Sequence, residues 1–226
     1  MRKTFSLIFV LSILMFAVIG CSAVNVAPVL NSSLSMAAFE KMKKIEPHNV
    51  KLALYIEPKM KELQLNQNLS LGRYTFDIGN AFSAKLIKAL SYNFKNLYFL
   101  DTPEYAENDF ADAIMYVNLQ DIDADFKARS GFSNVYAESY VRFSIRAEIK
   151  DIGEKKTVWV GTTQAKTTES HQEYGSMAYQ EAGRGYAIAI DNAIDNAIGD
   201  LINDMSKSQN LRMYLEKWGQ RNKGEN

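Results

Sequence analysis

Cysteine, proline and histidine are scarce in this chain: 226 residues hold one Cys, four Pro and two His. The single cysteine, Cys21, excludes an intramolecular disulfide and any zinc or iron–sulfur site built from several cysteines. With so few Pro and only 12 Gly, the composition is not that of a fibrous or disordered chain. His48 and His171 lie far apart, which leaves little for a histidine-based metal centre. An excess of one charge is missing too, with 26 Lys+Arg against 26 Asp+Glu and a pI near 6.8. A generic nucleic-acid binder needs a basic surplus, so that class of partner is set aside. What the chain does have is 47% hydrophobic residues, enough for a sizeable core in one domain or two small ones. No residue set implies a cofactor.

The N-terminus carries the sharpest signal. Arg2 and Lys3 precede an apolar run from Phe5 to Ile19. A membrane-spanning helix needs roughly 20 apolar residues. This run is shorter, is terminal and ends in small residues, as an export signal does. Val18-Ile19-Gly20-Cys21 follows, and it resembles the bacterial lipobox, with Val18 where Leu is usual. The plainer alternative is an ordinary secretory signal with an incidental Cys. The lipobox resemblance implies cleavage before Cys21 and a palmitate-type acylated cysteine as a membrane anchor. Each buried acyl CH₂ contributes about 0.8 kcal/mol, and one chain alone anchors only marginally. The three chains of a bacterial lipoprotein would anchor it permanently. Ser22, rather than Asp, after the cysteine implies sorting to the outer membrane, facing the periplasm. Removal of residues 1–20 takes Arg2 and Lys3 with it, leaving 24 Lys+Arg against 26 Asp+Glu. A body carrying a charge near −2 is not built to lie flat on anionic lipid. Residues 22–36, rich in Ser and Asn and without period, read as a flexible tether between Cys21 and a single domain spanning 37–226.

Within that domain, Val50–Ile56 reads as a first strand closed by Glu57-Pro58, and the Asn/Gln-rich stretch to Ser70 as a loop. Arg73–Phe76 is a short strand leading to Asp77, a helix N-cap. Ile78, Phe82, Leu86, Ala89 and Leu90 then form an apolar helical stripe, with Lys85, Lys88 and Ser91 off it. Leu97–Leu100 reads as a buried strand. From Val135 to Ile149 every odd position is apolar or small and the even ones are polar or Tyr, the mark of a long strand with one wet face. Before it, Ala113, Met115, Val117 and Leu119 share one parity while Ile122, Ala124 and Phe126 take the other, which predicts a β-bulge near Gln120-Asp121. A third strand is expected over Thr157–Thr167, with Gly153 in the hairpin turn. Ile190, Ile194, Ala197, Ile198, Leu201, Ile202 and Met205 stripe a long C-terminal helix. Asp191, Asn192, Asp195, Asn196, Asp200, Asn203 and Asp204 are expected on its wet face, and a short last helix covers Leu211–Trp218. The expected fold is α/β of the α+β kind, a largely antiparallel sheet of about 4–5 strands with helices packed on it.

Few residues suggest chemistry. Asp121-x-Asp123-x-Asp125 would place three carboxylates on one strand face, yet an EF-hand loop would need Gly at Phe126 and a carboxylate at Phe132. His171 with Glu169 and Glu173 has no accompanying nucleophile and reads as an exposed strand-end histidine. Gly183-Arg184-Gly185 lacks the Gly-Lys-Ser/Thr of a phosphate loop and reads as a kink between helical segments. On the wet face of the longest strand, Tyr136 and Tyr140 alternate with Glu138 and Arg142. That pattern suits a surface for an envelope protein partner. Coverage by a second helix, which would make the rings ordinary packing, is the competing reading.

Val117-Asn118-Leu119, Ala147-Glu148-Ile149 and the run from Ala193 to Ser206, placed behind a lipobox, resemble the YajG-type family of uncharacterised outer-membrane lipoproteins. The likeness covers about half of the chain. The family has no assigned catalytic residues, so the resemblance implies a lipid-anchored binding or assembly module. A lipid-anchored periplasmic hydrolase is the alternative class, and an auxiliary subunit of a secretion or envelope-assembly complex is another. Oligomeric state is not encoded in any of these features.

The helical stripe generates a direct test. Leu201→Asp should bury an unpaired carboxylate and cost several kcal/mol, whereas Asp200→Ala should change stability by no more than about 0.5 kcal/mol. Thermal melting of the two variants checks this, and equal shifts would mean that the helix faces the other way.

Overall fold

The computed structural model describes residues 24–42, 47–69, 72–103, 110–130, 134–174 and 179–222. Its elements are β1 (Asn25–Val26), α1 (Met36–Met42), β2 (His48–Ile56), α2 (Pro58–Lys61), β3 (Gln64–Leu69), β4 (Gly72–Asp77), α3 (Ile78–Asn93), β5 (Phe94–Leu100), β6 (Ala113–Ser130), β7 (Asn134–Asp151), β8 (Lys156–Tyr174), α4 (Tyr179–Lys207) and α5 (Gln209–Arg221). A five-stranded sheet runs β5-β2-β6-β7-β8, and a three-stranded sheet runs β1-β4-β3. The α+β class expected from the sequence is the one observed. The β6–β7–β8 meander is antiparallel, while β2 pairs in parallel with both β5 and β6.

The meander is unusually long. At about 3.3 Å per residue, the 18 residues of β7 span roughly 60 Å. Its odd positions from Ala137 to Ile149 are buried under α3 and α4, as the alternation requires. In β6 the pairing with β7 shifts between Leu119 and Asp121, leaving Gln120 as the extra residue of a bulge. Below the bulge Ala113, Met115 and Val117 point into the core; above it Phe126 does. Because β2 pairs with only residues 113–117 of β6, the upper half of the sheet lacks that neighbour. There the three-stranded sheet takes over: Tyr74 and Phe76 of β4 pack with Phe126 and with Tyr186 of α4.

Asp77 caps α3 as expected, its carboxylate accepting from Asn80 N at 3.3 Å. The apolar stripe of α3 is buried, but Lys85, expected off it, is fully buried too. Its ammonium lies 2.7 Å from Asp191 Oδ1 and 3.0 Å from Asp195 Oδ1, both on α4. Asp195 is therefore buried and Asp191 and Asn192 half-buried, rather than on the wet face. A periodicity argument sorts residues by polarity and cannot see that a neighbouring helix supplies the counter-ion. Backbone adds further donors: Asn31 N donates to both oxygens of Asp191 at 3.0 and 3.1 Å, and Ser35 N to Asp195 Oδ2 at 2.9 Å.

Those two donors lie in the segment read as a flexible tether. From Val24 onward it is instead docked as a strap. Asn25 and Val26 pair in parallel with Arg73 and Tyr74, and Val26 and Ala38 are buried. Arg73 N donates to Val24 O at 2.9 Å. Gly72, at φ 145°, makes this approach possible, because a Cβ there would sit 2.7 Å from that same carbonyl oxygen.

Other departures are local. The stretch read as a loop to Ser70 contains α2 and β3; Leu63, Leu65 and Leu69 rest on the core, and the Asn and Gln side chains hid their period of two. Leu97–Leu100 belongs to a strand at the edge of the described sheet, with Tyr98 and Phe99 exposed. β8 runs on to Tyr174, beyond Thr167. In the β7–β8 turn the left-handed residue is Lys155, not Gly153. α4 passes through Gly183-Arg184-Gly185 without interruption, and both glycines serve close packing. A Cβ on Gly183 would lie 2.8 Å from Pro28 of the strap, and one on Gly185 would lie 2.9 Å from His171 of β8.

The opposite end is closed by α5, capped by Ser208 through Leu211 N. Trp218 is fully buried and its indole N–H donates to Asp151 Oδ2 at 2.6 Å. Asp112 accepts from Lys51 N at 2.8 Å and from Asn222 Nδ2 at 2.7 Å.

Removing the cation from the buried cluster should be costly. Lys85→Met leaves two carboxylates without their counter-ion, and loss of one partner of a buried pair costs about 3–5 kcal/mol. Adding Asp191→Asn and Asp195→Asn to Lys85→Met should restore a measurable part of it. Chemical denaturation of the three proteins checks this; a neutral Lys85→Met would deny the cluster any structural role.

Candidate functional site

The exposed face of the upper meander is set by strand register. Across β6, β7 and β8, Arg129 sits beside Tyr136 and Gln172, Lys127 beside Glu138 and Ser170, Asp125 beside Tyr140 and Thr168, and Asp123 beside Arg142 and Lys166. The bulge turns the Asp residues outward, because the one-residue slip that buries Phe126 must expose its neighbours. All three are solvent-exposed. Arg142 lies across two of them, 2.9 Å from Asp121 and 3.4 Å from Asp123. Lys127 pairs with Asp125 at 2.6 Å, and Arg129 with Glu138 at 3.5 Å. The aspartates thus belong to a mixed-sign surface lattice, with the bridging Arg142 where a cation would sit.

Tyr136 is 37% exposed, whereas Tyr140 is half-buried between these charges. Asp125, Lys127, Glu138, Tyr140, Thr168 and Ser170 line a shallow hollow of about 370 Å³. Its lining is chemically mixed, with carboxylates, a cation, hydroxyls and a phenol interleaved on a wide, shallow surface. No described helix crosses it, since α3 and α4 pack on the other side of the sheet. Among the sequence-expected residues, Tyr136, Glu138, Tyr140 and Arg142 are therefore brought to one surface. Cys21 lies outside the described residues.

A centre of acid–base chemistry is not assembled from the histidines. His48 starts β2 and His171 is near the end of β8, with β6 and β7 between them. At about 4.8 Å per strand they are on the order of 14 Å apart or more, too far to share a proton or a metal. Burial holds the His48 imidazole below its usual pKa. His171 is half-buried against α4 rather than exposed, because Gly185 lets the helix approach it. The other shifted groups serve packing. Burial, helped by Tyr74, pushes Tyr186 up to about 12, and its hydroxyl donates to Lys127 O at 3.3 Å. Hydrogen bonds from Lys217 and Tyr214 hold Glu154 below the ordinary carboxylate range, at the far end of the molecule.

Sequence reasoning missed the strap and the groove it forms with α4. Val24–Val29 together with Gln180 and Arg184 line an open groove of about 680 Å³ at the upper end of the molecule. One signal could have revealed it: Gly183, a helical glycine at which a Cβ would collide with Pro28 of the strap.

The fold defined by these elements is an α+β sheet-and-helix domain. No protein-family model matches the chain, and no curated protein matches it. Solved structures similar to it include a Xanthomonas campestris protein of the DUF330 family model, 10% identical, at a TM-score of 0.46 over 83% of this chain and 99% of that one. A minor lipoprotein from Acinetobacter baumannii is 14% identical, at a TM-score of 0.34 over 70% of this chain and 91% of the other. The lipoprotein GNA1162 from Neisseria meningitidis is 11% identical, at a TM-score of 0.28 over 73% and 99%. Bacterial lipoproteins thus stand among its structural neighbours. The likenesses are loose, and none of them transfers a function.

The two tyrosines provide the test of the face. Tyr136→Ser with Tyr140→Ser should shift the melting temperature little relative to a core variant such as Phe143→Ala, which should lose about 3–5 kcal/mol. A loss as large as that of Phe143→Ala would make the rings core and move the interface elsewhere.

Proposed function

We propose that the protein is a lipid-anchored envelope lipoprotein that acts as a non-enzymatic binding or assembly module on the periplasmic face of the outer membrane. One observation carries the reading: the export signal ends in Val18-Ile19-Gly20-Cys21, with the only cysteine of the chain at the acylation position. Among the described residues no helix is long and apolar enough to cross a membrane. In this reading the acyl chains on Cys21 make the attachment. The binding role draws on the face around Tyr136, Glu138, Tyr140 and Arg142, whose aromatic and charged side chains suit a protein partner of the envelope. Membership of the YajG-type family belongs to the same proposal and rests on the segments that resemble it. The hydrolase alternative is disfavoured by the separation of His48 from His171. An auxiliary role in an envelope-assembly complex is a form of the same reading, distinguished by which partner is captured.

The test is on Cys21. Wild-type protein should incorporate a labelled fatty acid and leave the membrane fraction with detergent but not with high salt, because salt screens only electrostatic adhesion. Cys21→Ser should abolish labelling and yield an uncleaved precursor or a soluble periplasmic form. A wild-type protein that is unlabelled, cut at another site and freely soluble would end the lipoprotein reading. Crosslinking in native envelopes, with and without the double tyrosine substitution, then reads out the partner face.

A further inference from the structure

We infer that the domain has no long tether and is held with its strap end against the bilayer, the strap and the first turns of α4 forming a lipid-facing surface. The inference rests on the acylated Cys21 of the proposed function and adds to it an orientation and a contact surface. Its basis is the reach of the chain. Cys21 and Val24 are separated by only Ser22 and Ala23, and three residues span at most about 11 Å. From Val24 onward the chain is committed to the body by several independent contacts. Val24 O accepts from Arg73 N, Asn25 and Val26 pair with β4, Pro28 packs on Gly183, and Asn31 and Ser35 donate to the carboxylates of half-buried Asp191 and buried Asp195. An anchor at Cys21 therefore brings the point where the strap meets the body to within about a nanometre of the membrane.

The surface at that point suits a headgroup layer. Val24 is 43% exposed and Val29 91%, so both present apolar surface to solvent. Arg184 and Gln180 stand beside them on α4, both exposed. The groove between strap and helix thus offers apolar contact with a cation at its edge, the combination that a phospholipid headgroup and its phosphate accept. With zero formal net charge over the whole chain and two cations lost with the signal, the body as a whole is not drawn to anionic lipid. Orientation is thus set by the short leash, and Arg184 acts at close range. The far end is remote: Gly183 meets Pro28 of the strap, Gly185 in the next half-turn packs on His171, which pairs with Ala137, and about 45 Å of β7 separates that level from Asp151 and the α5 clamp.

The experiment uses the full-length acylated protein in vesicles of phosphatidylethanolamine and phosphatidylglycerol carrying a headgroup nitroxide. Acylation of Cys21 leaves a cysteine introduced by Val29→Cys or Met213→Cys as the only thiol to label. Met213 lies on α5 and is 61% exposed. A fluorophore at position 29 should be quenched several-fold more than one at position 213. Ten Gly/Ser residues inserted between Ala23 and Val24, a leash with an r.m.s. length of roughly 17 Å, should lower quenching at 29 toward the value at 213. Equal quenching at the two positions in an acylated, firmly bound protein overturns the orientation and leaves the anchor standing. A protein that carries no acyl chain and does not bind the vesicles removes the anchor reading, and this inference with it.

Discussion

One lysine shared between two aspartates organises this molecule. Lys85 is fully buried on α3, and its ammonium reaches both Asp191 and Asp195, one turn apart on α4. Charges removed from water are costly unless paired and fully hydrogen-bonded. One cation against two carboxylates leaves an excess negative charge, and the backbone N–H groups of Asn31 and Ser35 add donors to it. The N-terminal strap is thereby part of the solution to a buried-charge problem. Docking of the strap and contact of α3 with α4 thus meet in one group of atoms, while the apolar stripes of both helices seat them on the sheet.

The second organising feature is the bulge at Gln120. A strand of 18 residues that kept one parity would present the same face along its whole length. By slipping one residue, β6 buries Phe126 where the three-stranded sheet and α4 need an aromatic neighbour; its ring stacks on Tyr186 with centroids 4.7 Å apart. The same slip turns Asp121, Asp123 and Asp125 outward, where Arg142 and Lys127 bind them. Core completion and the charged lattice of the exposed face are consequences of a single inserted residue.

Much of this plan was legible in the residues, and the reasons are physical. Alternation along β7 and the parity change in β6 are local properties of an extended chain, so the long strand and its bulge could be read directly. The stripe of α4 and the cap at Asp77 are equally local. What could not be read depends on partners distant in the chain. By periodicity Lys85 falls off the apolar stripe, because its counter-ions are on another helix, and residues 22–36 read as a tether because the acceptors of Asn31 N and Ser35 N lie in the last third of the sequence. Leu65 and Leu69 were hidden among Asn and Gln, whose side chains in β3 exchange bonds with β4, as Thr75 Oγ1 does with Asn66 Oδ1 at 2.7 Å. For the exposed face, the alternation of Tyr136, Glu138, Tyr140 and Arg142 was visible, but their salt-bridge partners on β6 required the register.

The strap also imposes an order of events. Its bonds to Asp191 and Asp195 each join residues 160 positions apart, and contacts of such long range form only after the loop between them has been closed. A chain emerging amino end first exposes this segment long before α4 exists to receive it. Strands β6–β7–β8, joined by short connections, can assemble earlier and serve as the floor on which α4 settles. The pairing of Asn25 and Val26 with β4 can form early, but the strap's bonds to Asp191 and Asp195 can close only once α4 is in place.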